Sequence, residues 1–183
     1  MEAFSKVVAI IVLIIVLFMA PLLYFSAQHD RVLQTYVAAH TTEFVDNVRL
    51  QGKITQEMYN DYVATLSNTN MSFQITLEHT HVTDVPVFSE TDGTLTGTSK
   101  YTSSVYESDI LHQLFTRDTL TPEEQAAGDK IGEYHFRKDD YFTVILKNTD
   151  NTMSQKLQSM LGASGAGFVI YYQYGGMIRD ENF

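Results

Sequence analysis

Between Lys6 and Asp30 the chain carries no Asp, Glu, Lys or Arg, and the run from Val7 to Gln28 reads VVAIIVLIIVLFMAPLLYFSAQ. The hydrocarbon core of a bilayer takes about 20 predominantly apolar residues at about 1.5 Å of rise each. The run supplies that length, and lipid is the cheapest place to put it. Residues 1–28 therefore read as an N-terminal membrane anchor helix, with Val12, Ile15, Val16 and Phe18 as its membrane-facing or assembly-facing side chains. Signal-peptide cores are shorter, about 7–15 residues, and end at a small-residue cleavage site. Ser26, Ala27 and Gln28 match such a site poorly, so the expectation is an uncleaved anchor. Lys6 and the terminal amine favour a cytoplasmic N-terminus. The expected topology is a single-pass plasma-membrane protein with its C-terminal part outside the cytoplasm and the lipid bilayer as a first partner. Pro21 removes one backbone donor, which membrane helices tolerate.

Of the 183 residues, about 155 follow the anchor, enough for one domain with a core of its own. Acidic residues number 22 against 12 basic ones, for a net charge of −10. Glu2 and Lys6 cancel ahead of the anchor, so the negative charge falls on the remainder. That charge opposes nucleic acid and anionic lipid surfaces as partners. The absence of cysteine excludes disulfides, thiolate chemistry and Cys-ligated metals.

Beyond the anchor, Val32, Leu33, Tyr36, Val37, Phe44, Val45 and Val48 recur at spacings of three, four and seven, a helical stripe. Neither Pro nor Gly interrupts between Leu22 and Gln51, so the membrane helix is expected to continue outward as one rod. Val37, Phe44 and Val48 form a candidate assembly stripe. Gly52 is a stop signal, and Thr55 caps a second helix through Leu66. Residues 29–67 thus read as an extended helix and a second helix packing on a head, and residues 68–183 as an extracytoplasmic α+β head. Met71 to His79 alternates Phe73, Ile75 and Leu77 with polar residues, a half-buried strand. Val85, Val87 and Phe88 suggest a further short strand. Glu90 to Ser104, rich in Thr, Ser and Gly, reads as a long loop or loose hairpin. A short helix over Tyr106–Phe115 follows, then a helical turn within Leu120–Gly128 begun by Thr121 and Pro122. Tyr134 to Arg137, a polar turn at 138–140 and Phe142 to Lys147 read as a hairpin. A helix over Ser154–Leu161, a small-residue turn over Gly162–Gly167, a strand over Phe168–Tyr174, a turn at Gly175–Gly176 and a last edge at Met177–Arg179 complete the chain.

The sharpest candidate metal site is Glu78, His79, His81 and Asp84. On a strand His79 and His81 share a face, as a ligand pair would. His79 also continues the Phe73–Ile75–Leu77 face, so a strand end at the core's edge is the favoured account, and only an unknown fold could add His112 or His135. GASGAG (Gly162 to Gly167) has Ala166 where a nucleophile elbow needs its last Gly. It also has the wrong flanking elements for a dinucleotide loop. Asp139–Asp140 beside Glu133 could hold calcium weakly, and a hairpin turn explains the same residues. Tyr171, Tyr172 and Tyr174 fit sheet packing. No base-plus-nucleophile cluster or cofactor motif emerges, so a non-enzymatic protein without a cofactor is expected.

One apolar helix running outward into a small acidic α+β head resembles the layout of type IV pilin-like proteins. FVDNVRLQGKITQEMYNDYVATL (Phe44 to Leu66), the strand FQITLEH, YHFRKDDYFTVILKN (Tyr134 to Asn148) and the closing IYYQYGGMI resemble minor pseudopilin-type proteins of the tight-adherence (Tad) pilus machinery of Gram-positive bacteria. The resemblance implies a pilin-like fold: a long N-terminal transmembrane helix continuing into a small antiparallel-sheet head. It implies a cell-surface structural subunit that packs its helix beside other pilin-like subunits or pilus assembly proteins. Pilins carry a Gly or Ala before their cleavage point and a glutamate five residues after it. Cleavage after Ala3 would put Val8 there, so an uncleaved accessory protein of the same machinery fits as well. The other function class is an independent anchored binding or sensor module with Glu90–Ser104 as its contact region.

Overall fold

The computed structural model describes residues 2–88, 94–116, 119, 121–122, 130–160, 162 and 169–179, with side chains from Phe4 onward. Helix α1 (Glu2–Gln51) is a single element of 50 residues, about 75 Å long at the α-helical rise. Pro21 lies inside it without ending it. The helix passes residue 28 unbroken, so the expected division between anchor and extended helix is a change of surroundings, not of backbone. By length and composition this one helix suffices to cross a membrane, and its apolar window is wholly unburied.

Burial begins at Ser26 and recurs at Asp30, Val37, Thr41, Phe44, Val45 and Val48. These steps of three, four and seven place one face of α1 against the rest of the chain. Gly52, at φ 67°, ends the helix in the left-handed conformation that favours glycine, and its N–H donates to the Val48 carbonyl at 2.8 Å. A short strand β1 (Lys53–Thr55) follows, then α2 (Gln56–Ser67), whose N-cap Thr55 accepts from the Met58 N–H.

Strands β2 (Phe73–Phe88), β3 (Leu95–Tyr106), β5 (Tyr141–Asn148) and β6 (Tyr171–Met177) form an antiparallel sheet in the order β3-β2-β5-β6. Between them in sequence come α3 (Glu107–Phe115), β4 (Glu133–His135) and, before β6, α4 (Met153–Met160). Register puts Leu77 opposite Val144, His79 opposite Phe142 and Tyr174 opposite Val144, so these side chains share one face. That face meets α1: Phe44 packs edge-on to Phe142 at 6.3 Å and flat on Tyr62 at 4.4 Å. The result is an α+β arrangement, a long apolar N-terminal helix followed by a small antiparallel sheet.

Helix α1 and strand β6 also match in pitch. Four helical residues rise about 6 Å and two strand residues about 6.8 Å. Thr42 and Asp46, one such step apart, accordingly meet the hydroxyls of Tyr172 at 2.8 Å and Tyr174 at 3.2 Å. One turn on, Arg49 donates Nε–H to the Met177 carbonyl at 3.0 Å and Nη1–H to Asp46 at 2.7 Å. A Cβ on Gly176 would lie 2.6 Å from the Arg49 Cζ, and one on Gly175 2.7 Å from the Phe142 carbonyl oxygen. Gly175 and Gly176 are therefore not the expected turn. They are ladder positions, opposite Thr143 and Phe142, kept bare because neighbours sit where side chains would go.

Three further expectations need correction. Tyr134 does not form a hairpin with β5. Strand β4 pairs with β1, Ile54 opposite Tyr134, in a separate two-stranded sheet, and Asp139 at φ 71° turns the chain between β4 and β5. Val85, Val87 and Phe88 are no separate strand but the far end of β2. Of the two readings of 90–104, a long loop or a loose hairpin, the loop fails and the hairpin holds: residues 95–104 belong to a strand paired antiparallel with β2. Their Thr-rich sequence suits a pleated backbone, and ladder pairing with β2 orders them although their side chains stay exposed. The helical turn expected within 120–128 and the small-residue turn at 162–167 lie mostly outside the described residues, as do 90–93.

Candidate functional site

Strand β2 is longer than its partner β5. Their last pair is Thr80 with Tyr141, and beyond it β2 continues with β3 alone as a two-stranded arm. At this fork His79 and His81, on one face of β2, meet Asp140, the residue just before β5. Asp140 is 1% exposed, and each of its oxygens has two donors. Oδ2 lies 2.8 Å from His79 Nε2 and 3.0 Å from the Arg137 N–H. Oδ1 lies 2.5 Å from His81 Nδ1 and 3.3 Å from the Val82 N–H. The far nitrogen of His79, Nδ1, is 2.6 Å from the Tyr134 hydroxyl. The Arg137 guanidinium, which can only donate, is 3.4 Å from His81 Nε2. One assignment satisfies every contact: both imidazoles neutral, His79 carrying its proton on Nε2 and His81 on Nδ1, both donating to an ionised Asp140, with Tyr134 donating to His79.

Burial is the main reason the His79 imidazole holds its proton less readily than usual, with the Asp140 carboxylate working against that effect. Burial would raise the Asp140 carboxyl, but hydrogen bonds from His79, the Arg137 backbone, His81 and the Val82 backbone outweigh it and hold the group below the ordinary carboxylate range. Tyr134 is pushed up by burial and by the carboxylates of Asp140 and Asp109. The order hydroxyl, imidazole, carboxylate is that of a proton relay. A buried hydroxyl with a raised pKa, however, is the reverse of an activated nucleophile. His79 is further enclosed by the rings of Phe136 at 4.8 Å and Tyr134 at 5.6 Å.

Among the described residues, ligand atoms of His79, His81 and Asp140 lie within 4.8 Å of one another. The expected pair His79 and His81 is thus brought together, but with different company. Strand alternation puts Glu78 on the opposite face, and Asp84 sits farther along the arm opposite Lys100. His135 contacts Glu133 at 3.1 Å, and Glu133 in turn binds Lys53. His112 belongs to the last turn of α3. The sequence pattern places Asp140 in a turn or a weak calcium site with Asp139 and Glu133, and Tyr134 in a strand, without joining either to His79. The H-x-H alternation was visible, but its partner lies 59 residues away.

Val12, Ile15, Val16 and Phe18 are exposed on α1, Phe18 at 71%. Val37, Phe44 and Val48 are not. All three are buried in the chain's own core, so the expected assembly stripe is used up within the fold, against the sheet and α2. Neither protein-family models, nor curated proteins, nor solved structures give a match to this chain.

Proposed function

We propose that the protein is a membrane-anchored, non-enzymatic minor pilin-like subunit, or an accessory protein of a pilus or secretion machine, that assembles through the free part of α1. The observation that carries this reading is the division of one continuous helix. One face of its second half is buried against the sheet, while its first half, including Val12, Ile15, Val16 and Phe18, is exposed. An anchor that served only as a tether would not need to be one rigid element with the head's central helix. A rod built this way transmits the position of the head to whatever the apolar half packs beside. Val7 to Leu23 contains no Ser, Thr, Asn or Gln, so helix pairing there would rely on van der Waals fit.

The test is photo-crosslinking in native membranes from Val16 and Phe18 of the full chain. Crosslinks to subunits that carry their own apolar N-terminal helix support the proposal. Crosslinks to lipid alone overturn it in favour of a second reading, an independent anchored binding module. That reading draws on the arm, where Val85, Val87, Phe88, Leu95 and Tyr101 are exposed on a two-stranded ribbon.

A further inference from the structure

We propose that His79, His81 and Asp140 form a binding site for a single divalent transition-metal ion of the zinc type, built into the fork where the arm leaves the sheet. Two imidazole nitrogens and a carboxylate oxygen are the donor set that suits such an ion. Here the three come from β2 and from the residue just before its neighbour β5, with ligand atoms within 4.8 Å of one another. Zinc holds nitrogen at about 2.0–2.1 Å, which spaces neighbouring ligands of a tetrahedral ion about 3.3 Å apart. The two short separations, 2.8 Å (His79 Nε2 to Asp140 Oδ2) and 2.5 Å (His81 Nδ1 to Asp140 Oδ1), run to different carboxylate oxygens and would open by less than an ångström, while the widest spacing among the three ligand atoms, which all lie within 4.8 Å of one another, would close by up to about 1.5 Å. His81, whose side chain is 23% exposed, is the most accessible of the three and marks the side from which an ion and its fourth ligand, a water, arrive.

Two surrounding features bear on the site in opposite directions. Metal-bound histidines ordinarily donate their second N–H to an oxygen that fixes the ring. The Tyr134 hydroxyl, 2.6 Å from His79 Nδ1, is in that position. The backbone N–H groups of Arg137 and Val82 likewise hold the Asp140 carboxylate in place before any ion enters. Arg137 opposes the ion, because its guanidinium faces His81 Nε2 at 3.4 Å.

The proton count balances without release. On binding, His79 moves its proton from Nε2 to Nδ1, where the Tyr134 oxygen turns from donor to acceptor. His81 moves its proton from Nδ1 to Nε2. Two donors then face each other at Nε2 and Arg137, so the guanidinium must swing away. Arg137 thus acts as a counter-charge that the ion displaces, and removing it favours the ion.

The full chain in detergent micelles, stripped with a chelator and titrated with zinc chloride alone, tests this by calorimetry and by metal content after dialysis. One zinc per chain is expected, with His81→Gln weakening it at least about tenfold, and Arg137→Gln, which keeps all three ligands, tightening it several-fold. Cobalt substitution should give the absorption of a tetrahedral site, and nitrogen NMR should show the His79 proton relocated to Nδ1. Absence of stoichiometric zinc overturns the proposal. So does zinc whose affinity is indifferent to His81→Gln, because the ion then sits on other histidines such as His29, His40, His112 or His135. Should His81→Gln fail to fold, an unchanged affinity in Arg137→Gln overturns it by itself.

Discussion

Buried polar side chains, as well as the apolar core, join the parts of this molecule. Asp30 on α1 is 1% exposed, and its Oδ2 accepts from both the N–H, at 3.2 Å, and the hydroxyl of Ser154 in the first turn of α4. A carboxylate at a helix start is favoured by the free N–H groups and dipole there. Its other oxygen, Oδ1, is buried and has no hydrogen-bond partner among the described residues; His29 Nδ1 lies 4.0 Å away. Asp30→Ala should therefore free α4 from α1, at a cost of about 1–3 kcal/mol. Hydrogen exchange should show faster exchange of the α4 amides with the β5 amides unchanged. The two glycines of β6 separate in the same spirit. Gly175→Ala drives a Cβ into the Phe142 carbonyl, which a sheet cannot move, whereas Gly176→Ala meets the end of the flexible Arg49 side chain. Denaturant unfolding should find Gly175→Ala destabilising by about 1–3 kcal/mol and Gly176→Ala by less.

Among the elements, the small β1–β4 ladder is the one that pH should address. Lys53 Nζ lies 3.2 Å from both oxygens of Glu133 across that ladder. Burial works against the Glu133 charge, but Lys53 and then His135 outweigh it and hold the carboxyl below its ordinary value. An acid with a depressed folded-state pKa binds fewer protons folded than unfolded in the window between the two values. Its contribution to stability is complete above the ordinary carboxylate value and fades as pH falls through the folded one. Unfolding midpoints should therefore separate wild type from Glu133→Gln at pH 7 and converge toward pH 3. At this scale much was legible. The α1 stripe, the Thr55 cap, α3 and the inward faces of β2 and β5 follow from period and punctuation, which are local. Strand β3 was hidden because its side chains bury almost nothing, and its order comes from pairing with β2. Strand β4 was recognised as extended but given the wrong partner, since alternation does not say which strand lies alongside.

For the whole molecule, the balance between the apolar half of α1 and the acidic remainder decides where the protein can reside. Insertion scales give Leu, Ile, Phe and Val about −0.3 to −0.6 kcal/mol each at a helix centre and Asp about +3. Thirteen such residues lie between Val7 and Leu23, so one charge leaves the balance favourable. Two charges remove two favourable terms and add about 6 kcal/mol. Val12→Asp with Ile15→Asp should thus move the chain from the membrane fraction to the soluble fraction while circular dichroism of the head is retained. A single substitution should only reduce the membrane-bound share. Persistence of the double variant in the membrane fraction would show that something other than this run holds the chain there.

Local periodicity suffices to say that residues near the N-terminus form an apolar helix, that this helix continues outward, and that alternating segments follow as strands. Each of those statements depends only on neighbours a few positions apart. What covers each face is a matter of closure between distant segments, and only the tertiary structure decides it. That closure turns Val37, Phe44 and Val48 inward onto the chain's own sheet and gives Tyr134 to β1. It also carries Asp140 to His79 and His81, converting a turn residue and two strand positions into one polar cluster.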